Sequence, residues 1–215
     1  MSLGLEPRLR QGAEILGLRL TDGQYHHLLR YMDLLQKWNR VYNLTAVKNP
    51  EDMLTQHVLD CLAAVRPLKE SAPLAKSLLD VGAGGGLPSV ILAIACPDLM
   101  VLAVDAVAKK TAFIQSTAHA LGLANLQVQH ARVESLSQTF DVVSSRAYAS
   151  LPDFVLTSRA CLAPNGWWMA MKGVVPREEI SHLPSDIEAA EIQPLSVPDL
   201  EAQRCLVWMR PQKPI

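Results

Sequence analysis

Residues 80–88 of the chain read DVGAGGGLP, and this glycine-rich stretch decides which fold is expected. It overlaps a short apolar run at 77–81, which predicts a buried β-strand. A second apolar run at 88–96 predicts a helix directly after the glycines. A strand, a glycine turn and a helix in this order predict the first unit of a doubly wound α/β sheet, in which ligands bind beside such a turn.

The chain after residue 76 repeats this alternation of strand and helix. Further strands are predicted at 100–105, 126–130, 140–145, 167–172, 193–197 and 205–210, and further helices at 108–121, 152–161 and 178–190. Such spacing predicts right-handed crossovers and a mostly parallel, seven-stranded sheet. Apolar residues at helical spacing in the first part of the chain predict helices there. We therefore expect an N-terminal helical cap (1–66) packed on an α/β core (67–215).

Composition limits the classes of protein that the chain can represent. It has 215 residues, 49% of them apolar and 19% charged, which excludes intrinsic disorder. No apolar run approaches the ~20 residues that span a bilayer, and residues 1–12 lack the apolar core of a signal peptide. The four cysteines lie far apart, and neither they nor the six histidines have metal-ligand spacing. A cytoplasmic protein without membrane contact or bound metal is expected.

The net charge of −1 hides an uneven distribution along the chain. Residues 1–48 hold seven Lys or Arg and four Asp or Glu, a net of +3, so the remaining 167 residues carry −4. Positive charge attracts the phosphates of nucleic acids. The near-neutral total therefore does not exclude an RNA partner for the predicted cap.

The glycine turn and its surroundings predict which ligand the sheet binds. The G-x-G-x-x-G fingerprint of dinucleotide sites, counted from Gly82, fails at Leu87. Pro88 has no N–H to offer a pyrophosphate at the start of the helix. Asp105 ends the second strand, 23 positions after Gly82, where a carboxylate can accept the hydroxyls of a ribose. A ribose site without a pyrophosphate site favours S-adenosylmethionine over a nicotinamide cofactor and its oxidoreductase chemistry.

Two more segments are expected on the same rim, and their surroundings bear on the chemistry. Residues 132–134, RVE, follow the third strand and can reach an adenine face, although Val133 can equally be core. Arg146 ends the fourth strand, where substrate and cofactor meet, although a surface ion pair is the alternative. Residues 144–148 lack the two prolines of the motif with which enzymes that methylate the amino group of adenine polarise that amine. Methylation of cytosine at C5 needs a nucleophilic cysteine, and the nearest one, Cys161, lies late in a predicted helix. A nucleophile with a free lone pair, such as a ring nitrogen, needs no base and is favoured.

Seven short motifs, in this order along the chain, carry a family resemblance. They are WN at 38–39, NLT at 43–45, HVLD at 57–60, the turn at 80–88, RVE at 132–134, SRA at 145–147 and MKG at 171–173. The chain resembles the ribosomal RNA small subunit methyltransferase G family, also called glucose-inhibited division protein B. The resemblance implies a monomeric, Rossmann-like enzyme that methylates N7 of a guanine in 16S ribosomal RNA of the small ribosomal subunit.

The resemblance also implies a set of site residues. S-adenosylmethionine, which leaves as S-adenosylhomocysteine, would be bound by Gly82, Leu87, Val133, Glu134 and Arg146 and, by a looser match, by Asp105, Ala106 and Val107. Gly84 and Gly86 are expected at the same site as members of the glycine turn. Arg146 would also position the substrate against the cofactor. No general base is expected, because guanine N7 needs no deprotonation before it attacks.

Five other residues each have a functional and a structural interpretation. His57 and Asp60 lie one helical turn apart and either line the site below the cap or order their helix. Asn39 either caps backbone groups or touches RNA. Tyr148 either stacks on a flipped-out guanine or packs at the rim of the site. Lys172 either binds an RNA phosphate or lies on a solvated surface. Two alternative functions remain open: methylation of another RNA, and a non-catalytic RNA-binding assembly factor.

Overall fold

The computed structural model describes residues 2–212 and has a central seven-stranded sheet. The strands are β1 (Ser77–Val81), β2 (Met100–Asp105), β3 (Leu126–His130), β4 (Phe140–Arg146), β5 (Leu162–Lys172), β6 (Ile187–Leu195) and β7 (Arg204–Pro211). Their order in the sheet is β3-β2-β1-β4-β5-β7-β6. The first five strands are parallel, and β7 runs antiparallel to both β5 and β6. The predicted doubly wound, mostly parallel sheet is confirmed, and its switch point lies between β1 and β4.

The N-terminal part is helical, as predicted. It comprises α1 (Glu6–Ile15), α2 (Asp22–Tyr42), α3 (Pro50–Met53), a π-helical segment (Leu54–Leu59), α4 (Asp60–Leu62) and α5 (Val65–Ser71). Thr21 and Gln24 form a capping box at the start of α2. Asn43, in the left-handed region with a φ of 50°, ends that helix. The sequence pattern did not predict the π-helical segment.

Four further helices accompany the strands: α6 (Ser89–Ala95), α7 (Ala108–Leu121), α8 (Leu151–Ser158) and α9 (Arg177–Ser181). The helix predicted at 178–190 is wrong, since α9 ends early and β6 follows. Pro184 disfavours helical backbone in the residue before it, and the next residues pair with β7 instead. The strand predicted at 193–197 therefore begins earlier than expected, at Ile187.

The cap packs directly on one face of the sheet. Buried side chains of α1, α2 and the π-helical segment share one continuous hydrophobic cluster with β1, α6 and α7. The hydroxyl of Tyr31, which is fully buried, donates a hydrogen bond to the carbonyl of Gly85 at 2.7 Å. The ring of Trp38 packs edge-on against Phe113 in α7. The boundary at residue 66 stays a prediction, but the cap residues in α2 contact the glycine turn itself.

Candidate active site

The glycine turn between β1 and α6 requires glycine for two reasons. Gly82 and Gly86 have φ angles of 69° and 79°, in a region that other residues rarely adopt. A Cβ on Gly82 would lie 2.4 Å from the Tyr148 ring, and one on Gly86 would lie 2.4 Å from Val90. The glycines thus allow both the backbone path and the close packing on either side of the turn.

The N–H groups at the start of α6 are not free to hold a phosphate. The amides of Gly86 and Leu87 both donate to a carbonyl within the turn, at 2.7 and 3.1 Å. The amide of Ser89 donates to Oδ2 of Asp80 at 3.0 Å, and Pro88 has no N–H. Because a pyrophosphate is held by free amides at such a helix start, this geometry agrees with a ligand that lacks phosphates.

Asp80 is a buried carboxylic acid beneath the turn. Its side chain is fully buried, and its Oδ1 atom has no hydrogen-bond partner among residues 2–212. Burial raises the pKa of Asp80 from 3.8 to about 7, although the Ser89 amide acts in the opposite direction. A raised pKa in the folded state means that folding favours the protonated form. Asp80 therefore stabilises the fold most below its unfolded pKa of 3.8, and this contribution is lost as the pH rises to about 7.

An Asp80→Asn variant is expected to lose this pH dependence, because asparagine keeps an acceptor for the Ser89 amide but does not ionise. The measurement is the free energy of unfolding in urea between pH 4 and pH 8 for both proteins. The variant should gain stability relative to the wild type as the pH rises towards 7. Asp98→Asn, at an exposed position just before β2, is the control, and parallel curves for Asp80→Asn and wild type would contradict the buried ionisation.

A first cavity of about 310 Å³ opens at the carboxyl ends of β1, β2 and β3. Its lining includes five predicted cofactor residues, namely Gly82, Asp105, Ala106, Val133 and Glu134. Lys110 and Arg132 also line it, and the Nζ atom of Lys110 lies 3.6 Å from Asp105. The cavity thus brings two carboxylates and two cations around apolar side chains of β1 and β2. The sequence pattern does not indicate Lys110 as a site residue, because its position at the rim of this cavity depends on the direction in which α7 runs.

Asp105 is fixed in this cavity by backbone groups. Its Oδ2 accepts the amide of Gly84 at 3.0 Å, and its Oδ1 accepts the amide of Val107 at 2.8 Å. Each carboxylate oxygen can accept a second hydrogen bond, so both oxygens remain able to bind a diol. Gly84 and Val107 lie outside the cavity lining and act through Asp105, while Gly86 and Leu87 shape the turn behind it.

Arg146 lies in a second cavity, of about 360 Å³, at the ends of β4 and β5 and the start of β7. Its Nε donates to Oδ2 of Asp60 at 2.9 Å, and its Nη2 donates to the carbonyl of Gln56 at 2.7 Å. Gln56 lies in the π-helical segment, and Asp60 is the residue directly after it. π-Helical turns are frequent at functional sites. Ala147 lines both cavities, so Arg146 lies beside the first cavity without lining it.

A second arginine shares the carboxylate of Asp60. Nε of Arg204, the first residue of β7, donates to Oδ1 of Asp60 at 2.8 Å. The Asp60 side chain is only 2% exposed, so its charge is compensated by the two arginines rather than by water. The sequence indicates Asp60 and Arg146 but not Arg204, because no local pattern marks a contact between residues 144 positions apart.

His57 and Asn39 hold the loop after α2. Nε2 of His57 lies 2.7 Å from the Thr45 hydroxyl. Oδ1 of Asn39 accepts the Thr45 amide at 2.8 Å. Burial lowers the pKa of His57, and the Arg146 guanidinium lowers it further. A neutral, hydrogen-bonded histidine here orders the cap next to Arg146, and Asn39 caps the loop.

Tyr148 and Lys172 lie on the rim. Tyr148 lines the first cavity and covers Gly82, with 38% of the residue exposed. Nζ of Lys172 donates to Glu179 at 2.8 Å and to the carbonyl of Ala149 at 3.1 Å, and Lys172 lines the second cavity. The structure thus places Tyr148 beside five of the predicted cofactor residues and Lys172 on the same cavity as Arg146.

The described residues contain no other obvious centre of chemistry. Within residues 2–212, no three His, Cys, Asp or Glu side chains converge as a metal site requires, and no helix has the length and apolar content to cross a bilayer. All four cysteines are buried free thiols, Cys161 among them. Burial raises the pKa of Cys161, which makes it a poor nucleophile.

Comparison with known sequences decides the family. A sequence profile described as rRNA small subunit methyltransferase G matches residues 24–207. The chain belongs to this family. Ribosomal RNA small subunit methyltransferase G of Acidovorax ebreus (strain TPSY) is 54% identical over 216 residues, which cover 96% of each protein. That of Methylibium petroleiphilum (strain PM1) is 56% identical over 203 residues, covering 94% of this chain and 92% of the relative.

Solved structures resemble this methyltransferase G family member in fold. Mitomycin 7-O-methyltransferase superposes with a TM-score of 0.60 at 14% identity, covering 84% of this chain and 60% of that protein. Coclaurine N-methyltransferase, bound to N-methylheliamine and S-adenosylhomocysteine, superposes with a TM-score of 0.54 at 13% identity, covering 90% and 74%. These likenesses confirm the expected Rossmann-like methyltransferase fold of the family.

Proposed function

We propose that the protein transfers a methyl group from S-adenosylmethionine to N7 of a guanine in 16S ribosomal RNA of the small ribosomal subunit. Membership of the methyltransferase G family supports the reaction class and the ribosomal substrate. The observation that carries the mechanism is the junction at Ala147, where the first cavity meets the second. Donor and acceptor held in adjoining cavities can react in line, and orientation then supplies much of the rate. Because ribosomal RNA is the proposed substrate, we expect the protein in the cytoplasm, acting as a monomer.

The first cavity fits the cofactor. Asp105 offers two anchored oxygens to a ribose diol, and Val133 offers an apolar wall to the adenine. Gly82 and Tyr148 line the same cavity, where they can contact the methionine part. The amides at the start of α6 already have partners, which suits a ligand without phosphates. The bound sulfonium supplies an activated methyl group.

The second cavity fits the acceptor. Guanine N7 carries a free lone pair, so the chain has to orient the base and does not have to remove a proton. Arg146 keeps its charge at any physiological pH. The pKa of His57, which lies behind Arg146, is lowered by burial, and this favours the neutral form of the histidine. The guanidinium of Arg146 is held by Asp60 and Gln56 at the junction of the cavities, where it can orient the guanine against the methyl group.

Loss of the Asp105 carboxylate is expected to weaken binding of S-adenosylmethionine by about 10- to 100-fold, because hydrogen bonds to a charged acceptor contribute about 1.5–3 kcal/mol. The variant is Asp105→Ala, and the measurement is the dissociation constant by titration calorimetry. Asp98→Ala, an exposed aspartate just before the same strand, is the matched control. Equal affinity of Asp105→Ala and wild type would refute the ribose contact.

The function itself is tested with purified wild-type protein, methyl-labelled S-adenosylmethionine and small ribosomal subunits from a strain that lacks this protein. We expect label in 16S ribosomal RNA and strand cleavage at a single 7-methylguanine after chemical treatment. Label in another RNA would favour the first alternative. Binding of subunits without label transfer, by a folded protein, would favour a non-catalytic assembly factor.

A further inference from the structure

The second cavity has an excess of positive charge. Arg146 and Arg204 share the single carboxylate of Asp60, while Lys172 is paired with Glu179. One arginine charge on the lining of this cavity is therefore not compensated by a carboxylate within residues 2–212. A half-enclosed cavity with one surplus cation favours an anionic ligand.

Each arginine keeps one terminal nitrogen without a partner among residues 2–212. Arg146 directs Nε to Asp60 and Nη2 to the carbonyl of Gln56, which leaves its Nη1 at the junction of the two cavities. Arg204 uses Nε for Asp60 and Nη1 for the carbonyl of Gln203, and its Nη2 has no partner among residues 2–212. Its side chain is 24% exposed. A planar guanidinium anchored through Nε, with a free Nη group, suits contact with a phosphate oxygen.

The rest of the cavity fits the remainder of a nucleotide. Met171 and Leu195 give it an apolar wall, and Ala147 opens it towards the first cavity. Its volume of about 360 Å³ lies within the range of small-ligand sites, about 300–1,000 Å³. Proteins that recognise RNA bases specifically draw single bases out of the strand into such pockets.

We propose that Arg204 is a substrate-binding residue, which contacts a backbone phosphate next to the target guanine while Asp60 holds its guanidinium in place. This inference rests on the proposed function and adds a residue from the last strand to the acceptor site. Removal of one phosphate contact lowers the slope of log affinity against log salt by about 0.7–0.9. A residue with a merely structural role would leave that slope unchanged.

The test compares Arg204→Gln with Arg210→Gln. Glutamine at 204 keeps a donor for Asp60 and removes the charge, and Arg210 lies on the same strand, paired with Glu188 on the surface. Binding of small subunits is measured between 50 and 300 mM salt, together with KM for subunits and calorimetric affinity for S-adenosylmethionine. For Arg204→Gln we expect the lower slope and a KM raised by about 10- to 100-fold, with cofactor affinity within about twofold of wild type. Arg210→Gln should match the wild type.

Each other outcome has a defined meaning. A slope equal to that of wild type, or a parallel loss of cofactor affinity, overturns the proposal. If Arg204→Gln does not fold, Arg204→Lys decides: it should keep the slope and raise KM, and an unchanged KM overturns the proposal. Wild-type protein that binds subunits without transferring methyl groups refutes the proposed function, while the slope comparison still tests the phosphate contact.

Discussion

Alanine at position 146 is expected to lower kcat for methyl transfer by about 100- to 1,000-fold, the range found when an oriented donor is removed from an active site. The Arg146 guanidinium lies at the junction of the two cavities and is held by Asp60 and Gln56. Without it, the guanine loses its orientation against the methyl group. The measurement is single-turnover transfer of labelled methyl to small subunits, which separates the chemical step from binding and product release.

The Arg146→Ala protein should still fold. Asp60 keeps its bond to Arg204, so the cost in stability is that of the two hydrogen bonds from Arg146 to Asp60 and to the Gln56 carbonyl, about 2–4 kcal/mol together. Arg159→Ala, which breaks a surface ion pair with Asp186, is the control and should keep full activity. If Arg146→Ala transferred methyl groups at the wild-type rate, Arg146 would have no part in the reaction.

Replacement of Asp60 by alanine is expected to have the largest effect on stability, a loss of about 3–5 kcal/mol. Two arginines share this carboxylate, which is 2% exposed, and its removal leaves both charges without a partner in a mostly buried place. Transfer activity should fall as well, because Arg146 loses an anchor. The measurements are the free energy of unfolding in urea and the rate of transfer at a temperature where the variant is folded.

Two further variants separate charge from packing at this position. Asp60→Asn keeps a hydrogen-bond acceptor and should recover only part of the stability, because the amide carries no charge. Asp52→Ala, an exposed acid in α3, should change stability by less than about 0.5 kcal/mol. A loss at Asp60→Ala no greater than at Asp52→Ala would show that the buried carboxylate contributes nothing.

The sequence predicted those parts of the fold that neighbouring residues determine. The strand at 77–81 and the helix at 108–121 have the predicted bounds, since apolar spacing and glycines act over a few residues. Asp105 follows the same logic, because a strand of fixed length carries its last residue to the ligand edge. The wrong helix at 178–190 shows the limit: pairing with β7, the next strand along the chain, overrode the local helical pattern.

The acceptor half of the candidate site was less predictable. Arg204 reaches Asp60 across 144 positions, and only the placement of β7 between β5 and β6 brings the two together. The π-helical segment that contains Gln56 and ends just before Asp60 has no sequence signal. Lys172 was expected as a candidate phosphate ligand, and its pairing with Glu179 depends on where α9 packs.

Because β7 runs in the opposite direction to β5, the second cavity takes residues from the start of one strand as well as from the ends of others. Parallel strands deliver their last residues to the ligand edge, whereas β7, being antiparallel to β5, delivers its first, Arg204. The first cavity is lined mainly by the ends of β1, β2 and β3 and the second mainly by those of β4, β5 and β7, with Ala147 after β4 common to both. Under the proposed assignment of the two cavities, mutations in β7 and the connection before it should alter binding of the RNA substrate and leave binding of the cofactor unchanged.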